Sequence, residues 1–579
     1  MRGRERVLRL AHGPGALPDL AEAEPGRRSR TGRIGALGGA GAGRRPADGG
    51  GGAAAGEELR PLRPAARAAD GERPRAHAGP DGGHARQLAG VPRSARPLPG
   101  SDAGRRATGG EVDLRAAPAE PGHARSGGAA GRGGGVIKDV ALPPLQIAQE
   151  PSGLTLLAIQ RRAVPLFHVR LSVPAGAAED PRGKAGLAQF TADLLRRGTM
   201  RRDARGVDEL IESMGTGLGI EVSLDEAALT LTVPSDLSVR ALDALLEVAL
   251  EPSFPDEEVA SARRRTLASL QSDLDEPSSV AARAVVTLGY GAHHPYGHPA
   301  HGFRRDVETF QREDALGFHA SRFNARGALL AVVGTAPPEQ LLDLARERLA
   351  QVRWPSEARR APLDFAALPR EGMRALVWHK PDSTQAQLRI VATGIPRRSP
   401  LYMPAVVENT ALGGGFTSLL VDAIRVDRGL SYSVSTRLAM ARHAGLSVFS
   451  SFTKNETLRE LVDVALEKMR GYARTGPSKD ALEKARSYLA GLFPLGLESN
   501  EALAEQVADA ILDGLGLDHL ATYRSRIAAV TAAQARQAAE QLSPARDGTQ
   551  IVVVGDGEVG RKALTDICPV DVRPIEDLA

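Results

Sequence analysis

From residue 137 onward one order of elements occurs twice, and that recurrence restricts the fold more than any single motif does. The first pass reads as strands at 145–148, 154–160 and 166–173, a helix from 187 and another at 207–214. Strands at 218–223 and 228–233, helices at 237–250, 256–274 and 280–288, a strand at 329–333 and a closing helix at 338–349 follow. The second pass reads as strands at 374–378 and 386–392, helices at 403–412 and 418–426, and a strand pair at 432–436 and 446–452. Long helices at 456–474 and 478–492 and a late strand at 550–554 complete it. Strands are read from aliphatic and β-branched runs bounded by turn residues, helices from apolar residues three and four apart. Leu229, Leu231 and Val233 alternate with threonines, as on a half-buried antiparallel sheet. Ser235 and Asp236 are placed to cap the helix that follows. Two successive halves of about two hundred residues with the same order imply an internal duplication. The expected class is α+β: two homologous domains, 136–353 and 373–579, each a mostly antiparallel sheet packed with helices. Between them, 354–372 contains Pro355, Pro362 and Pro369 without sustained periodicity and reads as a linker.

Residues 1–135 are different material. They are Gly, Ala, Arg and Pro with no Lys, Phe, Tyr or Trp, and Ile34 is their only isoleucine. Such a segment buries too little apolar surface to offset chain entropy, so disorder is expected. It holds 23 arginines against 14 acidic residues, whereas residues 136–579 hold 51 basic against 56 acidic ones, so the basic balance belongs to the tail. An Arg-rich tail could touch nucleic acid, but nothing here is shaped like a binding motif and none is expected to bind. The composition better fits a GC-rich coding region read from a start placed too early. No apolar stretch follows the charged residues after Met1, so no signal peptide is read there, and no run is long enough for a membrane-spanning helix. Cys568 is the only cysteine, which excludes an intrachain disulfide and a cysteine zinc site and fits cytoplasm and periplasm equally.

The stretch 186–199, GLAQFTADLLRRGT, forms one apolar stripe from Leu187, Phe190, Leu194 and Leu195, with Gly198 after Arg196 and Arg197 as a stop signal. It resembles the opening of the pitrilysin, insulinase and mitochondrial processing peptidase family of zinc peptidases (the inverzincins). There a Gly-x-Ala-His-x-x-Glu-His helix precedes a Gly-Thr turn; two imidazoles one turn apart bind zinc and the Glu is the general base. Gly186, Leu187, Ala188, Gly198 and Thr199 match that pattern. Gln189 stands for the first His, Ala192 for the Glu and Asp193 for the second His. The resemblance puts the third ligand, a Glu in the family, at Ser269, ahead of Asp275-Glu276-Pro277. Gln and Ser are poor zinc ligands, and Ala192 takes no proton from a bound water. No catalytic residue and no metal site are therefore expected on this chain.

A second stretch, 411–435, ALGGGFTSLLVDAIRVDRGLSYSVS, resembles the family's Leu-Gly-Gly-Gly…Arg-x-x-x-Gly-Leu-x-Tyr segment in its second domain. The resemblance implies that Arg425 and Tyr432, seven residues apart, bind the substrate backbone near the scissile carbonyl. An Arg paired with a neighbouring acid and a Tyr in a strand is the alternative. Gly413-Gly414-Gly415 is not followed by Lys-Ser/Thr, so a tight turn is expected rather than a phosphate loop. Gly215-Thr216-Gly217-Leu218-Gly219 follows a helix, which argues against dinucleotide binding. The loop His293-His294-Pro295-Tyr296-Gly297-His298 resembles a structural His-Pro-x-Gly loop of the family; no Glu or Cys joins it at ligand spacing, so it is not expected to bind metal.

The resemblance covers about residues 137–568 and implies a non-catalytic subunit of a heterodimeric zinc metallopeptidase. The partner would carry His-x-x-Glu-His and the zinc, and this chain would help hold an extended peptide. Two alternatives stay open: a structural scaffold like the inactive family members of the respiratory core complex, and a divergent stand-alone metallopeptidase using Asp193 with other ligands.

Overall fold

The computed structural model describes residues 138–355, 362–366 and 371–578. The expected disordered tail at 1–135 and ten residues of the linker lie outside these. In the first half, strands β1 (Leu145–Gln149), β2 (Thr155–Gln160) and β3 (Leu166–Val173) precede helices α1 (Leu187–Leu195) and α2 (Ala204–Glu212). Strands β4 (Gly219–Val222) and β5 (Ala227–Pro234) lead to α3 (Ser238–Leu250), α4 (Asp256–Asp275), α5 (Pro277–Tyr290), α6 (Arg304–Val307) and α7 (Arg312–Arg322). Strand β6 (Leu329–Gly334) and helix α8 (Pro338–Leu349) close it. The second half runs β7 (Arg374–His379), β8 (Gln385–Thr393), α9 (Tyr402–Asn409), β9 (Val434–Met440), β10 (Gly445–Lys454), α10 (Leu458–Thr475) and α11 (Lys479–Leu492). It ends with α12 (Asn500–Leu512), α13 (Leu517–Ala521), α14 (Tyr523–Ala529), α15 (Ala532–Leu542), β11 (Gln550–Gly555), α16 (Gly557–Leu564) and β12 (Val570–Pro574).

The fold is α+β with two six-stranded sheets, ordered β1-β2-β6-β3-β5-β4 and β12-β7-β11-β8-β10-β9. Five positions correspond one to one, including the parallel pairs β2/β6 and β7/β11 amid otherwise antiparallel neighbours. The sixth position differs. β1 comes from the start of its half and runs antiparallel to β2, whereas β12 comes from the end of the chain and runs parallel to β7. Side-chain caps fix several helix starts: Asp203 accepts from the Gly206 amide, Ser478 from Ala481 and Ser499 from Ala502. The expected cap at Ser235 and Asp236 does not form. Residues Ser235–Leu237 make a 3₁₀ turn that runs into α3 without a side-chain hydrogen bond, because the local turn already satisfies the first amides.

Each half covers the far face of the other's sheet. β2 and β6 are buried along almost their whole length, so their side chains are dry on both faces. On one face lies the core of the first half; on the other, Leu157, Ile159, Leu329, Ala331 and Val333 pack against Leu503, Ala504, Val507 and Ala508 of α12. Reciprocally, Val280, Ala281 and Ala284 of α5 pack on Leu376, Trp378, Val552 and Val554 of the second sheet. Polar ties reinforce both seams: Asn500 Nδ2 donates to the Leu166 carbonyl at 3.2 Å and Lys380 Nζ to the Leu274 carbonyl at 3.3 Å. Phe365, in the linker, stacks on His443 of the second half at 4.2 Å and lies 4.9 Å from Tyr296 of the first. Truncating Leu503→Ala removes a buried side chain from the α12 seam and is expected to cost about 2–4 kcal/mol in chemical unfolding. A helix merely resting on the surface would give a change within roughly 0.5 kcal/mol.

Candidate functional site

The first-half site is built on α1. Leu187, Phe190, Leu194 and Leu195 are buried and fix which face of the helix points outward. Gly186 precedes the helix at φ 94°, a left-handed conformation, and a Cβ there would lie 2.7 Å from the His301 carbonyl. Asp180 holds this start: its two oxygens accept from the Gly186 and Ala188 amides at 2.6 and 2.7 Å. Burial pushes the Asp180 carboxyl up to about 8, against the pull of those amides. At the other end, Thr199 is buried and its hydroxyl donates to Glu247 Oε1 at 2.6 Å while accepting the Arg201 and Arg202 amides. The Gly-Thr turn is thus an anchor for α1.

Gln189 and Asp193 sit one turn apart on the outward face, and Gln189 Nε2 donates to Asp193 Oδ1 at 2.8 Å. Ala192 is fully buried beneath them. Asp193 and Ser269, from α4, line one cleft of about 390 Å³, so the structure brings together two of the four positions picked out by the sequence. Gln189 reaches that cleft only through its bond to Asp193. The other cleft groups are Arg196 and Arg197 at the end of α1, Arg265 and Thr266 on α4, His301, and a floor that includes Leu218 and Ile220. The surrounding protein raises the Asp193 carboxyl above its usual range, while Gln189, His301, Arg265 and Arg197 pull it down. One carboxylate, a hydroxyl and an amide beside guanidinium groups do not fit Zn²⁺. Among the described residues no group of three His, Cys, Asp or Glu is arranged to hold a metal ion.

The histidine loop is engaged in packing. His294 Nδ1 accepts the Tyr296 amide at 3.0 Å and its ring stacks on Tyr290 at 5.1 Å. His298 Nδ1 lies 3.8 Å from Asp180. Burial lowers the pKa of both rings. Tyr296 is buried and its hydroxyl donates to Asp225, while the His443 amide donates to that hydroxyl at 3.3 Å, which ties the halves together. His301, beyond this loop, is the histidine at the cleft. Sequence reasoning passed over it because no spacing rule connects it to α1.

In the second half, Arg425 and Tyr432 meet. The guanidinium carbon lies 4.6 Å from the Tyr432 ring centre and 5.1 Å from that of Phe416. Arg425 makes no ion pair among the described residues. Tyr432 is 67% and Phe416 78% exposed. Residues 419–420 are helical and run into a π-helix at Val421–Val426, in place of the α-helix expected over 418–426. Tyr432 precedes β9 instead of lying in a strand, because Ser431 turns the chain: its buried hydroxyl donates to the Ser433 carbonyl at 2.9 Å. Residues Thr410–Gly414 form a second π turn, closed by the Gly415 amide on the Thr410 carbonyl at 2.9 Å. Gly413 has no room for a side chain; a Cβ would lie 2.9 Å from the Thr436 amide nitrogen. The glycine run therefore lets the segment that carries Phe416 and Arg425 press against β9. Phe416 was not singled out in the sequence, although a large aromatic directly after three glycines is a signal for an exposed contact.

Two α+β halves of matching strand order, the first with a helix-borne cleft and the second with an exposed Arg–Tyr pair, define a two-domain peptidase-like protein. Residues 157–297 match the family model "Insulinase (Peptidase family M16)" and residues 309–489 match "Peptidase M16 inactive domain". The chain is 26% identical to an uncharacterized zinc protease of Mycobacterium leprae (strain TN) over 69% of this chain and 90% of that protein. It is 23% identical to the non-peptidase homolog YmxG of Helicobacter pylori (strain ATCC 700392 / 26695), over 64% of this chain and 84% of that one. The crystal structure of a peptidase M16 inactive domain from Pseudomonas fluorescens superposes with a TM-score of 0.66 at 25% identity, over 71% of this chain and 98% of that one. The chain belongs to the insulinase/pitrilysin family.

Gly413→Ala is expected to destabilise the protein by about 1–3 kcal/mol, since the methyl meets backbone. Gly471→Ala, inside α10 with open space at its Cβ, is expected to stabilise it by roughly 0.5–1 kcal/mol. Thermal unfolding of the two variants beside the parent checks both signs.

Proposed function

We propose that this chain is the non-catalytic subunit of a heterodimeric zinc metallopeptidase: it helps hold an extended peptide, and a partner of the same family with His-x-x-Glu-His carries the zinc. The observation that carries the reading is the contrast between the two halves. The first-half cleft has Asp193 and Ser269 where metal ligands would stand, whereas in the second half Arg425 and Tyr432 adjoin each other, unpaired and directed by two π turns. A guanidinium and a phenol offer hydrogen-bond donors suited to a peptide carbonyl on which charge develops. β4 and β9 are the edge strands of their sheets, and an edge strand can pair with an extended chain. The relative named as a non-peptidase homolog lends the non-catalytic part of the reading further support.

Co-expression of the full chain with the family member carrying His-x-x-Glu-His, followed by a cleavage assay on mixed peptides, tests the proposal. Activity is expected only in the pair. Arg425→Ala combined with Tyr432→Phe in this chain is expected to lower the pair's activity by about a hundredfold while leaving the dimer assembled. Cleavage by this chain alone would favour a divergent peptidase, and a pair indifferent to the double substitution would favour a scaffold; either result overturns the proposal.

A further inference from the structure

The cleft between α1, α4 and β4 holds more cations than its own carboxylate pairs. Arg196 is accounted for, since its Nη2 pairs with Asp208 at 2.8 Å. Arg197 is not. Its side chain makes no hydrogen bond or ion pair among the described residues beyond a longer-range attraction to Asp193, and its Nε is buried without an acceptor. Arg265 approaches from α4, exposed, and its Nη1 donates only to the neutral Ser261 hydroxyl at 2.7 Å. The only acid on the lining is Asp193, and one of its oxygens already accepts from Gln189. Thr266 and Ser269 add hydroxyls, and Leu218, Ile220 and Leu270 supply an apolar floor.

A buried donor left without an acceptor costs free energy, and guanidinium forks in a concave, partly apolar site are matched by carboxylates. The site is thus amphipathic in the same sense as the end of a peptide: an anion beside an apolar side chain. We infer that this cleft binds a peptide carboxylate, with Arg197 and Arg265 holding the anion, Ser269 donating to it, and the Leu218–Ile220 floor taking the adjoining side chain. In this chain the place that faces a substrate carbonyl with a metal ion elsewhere in the family would instead recognise a charged group. The inference rests on the peptide-binding part of the proposed function and requires no partner.

The test uses the full chain alone and an N-acetylated hexapeptide ending in leucine, as the free acid and as the C-terminal amide, with binding read by isothermal titration. The free acid is expected to bind at least about tenfold more tightly than the amide, a preference that high salt weakens. Arg265→Gln and Arg197→Gln should each reduce that preference, and Ser269→Glu, which adds a carboxylate at an exposed position, should abolish it. Asp193→Asn should strengthen it. A third peptide with an amide end and an internal glutamate distinguishes the sources: tight binding identifies a side-chain carboxylate, weak binding the chain end. Equal binding of acid and amide, or a preference that survives both Arg265→Gln and Ser269→Glu with the thermal transition unchanged, would overturn the inference. Such a failure would leave the partner-dependent cleavage untouched, and loss of that cleavage would leave the binding preference in the isolated chain standing.

Discussion

The reciprocal covering of the two sheets by α12 and α5 is the contact on which the rest of the structure depends. Each sheet has two apolar faces, and one face of each is covered by a helix from the other half. The exchange converts a duplicated sequence into one body: on their outer face β2 and β6 are covered chiefly by α12 from the second half. The same seam brings Asp225 and Tyr296 of the first half against Arg442 and His443 of the second, where the Arg442 amide donates to Asp225 Oδ2 at 2.9 Å. These polar contacts give the seam a definite register that apolar packing alone would specify poorly.

Both sites follow from that frame through close backbone approach. The loop carrying His301 and Gly302 presses on the start of α1, where a Cβ on Gly302 would overlap the Ala185 carbonyl at 1.9 Å. Asp180 and Thr199 pin the two ends of α1, so the outward positions 189 and 193 are set by buried neighbours. In the second half Gly413 performs the corresponding service, letting a π turn approach β9 closely enough for Arg425 to sit between Phe416 and Tyr432. In both places a glycine permits the approach and buried polar contacts hold the outward residues in position.

Much of the fold was legible because its periodicities are strong. The strand at 228–233 reads as half-buried, and Leu229, Leu231 and Val233 are buried while Thr230 and Thr232 are partly exposed. Segments 299–328 and 493–549 give no clear pattern in the sequence. α12 and α15 bury alanines among a few larger residues, which give little contrast to the eye, yet the small side chains of α12 help it lie flat on β3 and β6. The unbroken apolar runs of β2 and β6 did carry the information that something covers both faces. Of the sites, Asp193, Ser269, Arg425 and Tyr432 could be located from spacing and resemblance. His301, Arg197, Arg265 and Phe416 could not, because their roles arise from elements brought together by the tertiary fold.

Under the proposed function, the cleft that holds Asp193, Arg197, Arg265 and Ser269 takes up no zinc. The most direct measurement is the zinc content of the full chain, purified without chelators, exposed to excess Zn²⁺ and desalted before elemental analysis. Far less than one zinc per chain is expected, with no change on Asp193→Ala. One zinc per chain, lost on Asp193→Ala, would contradict it.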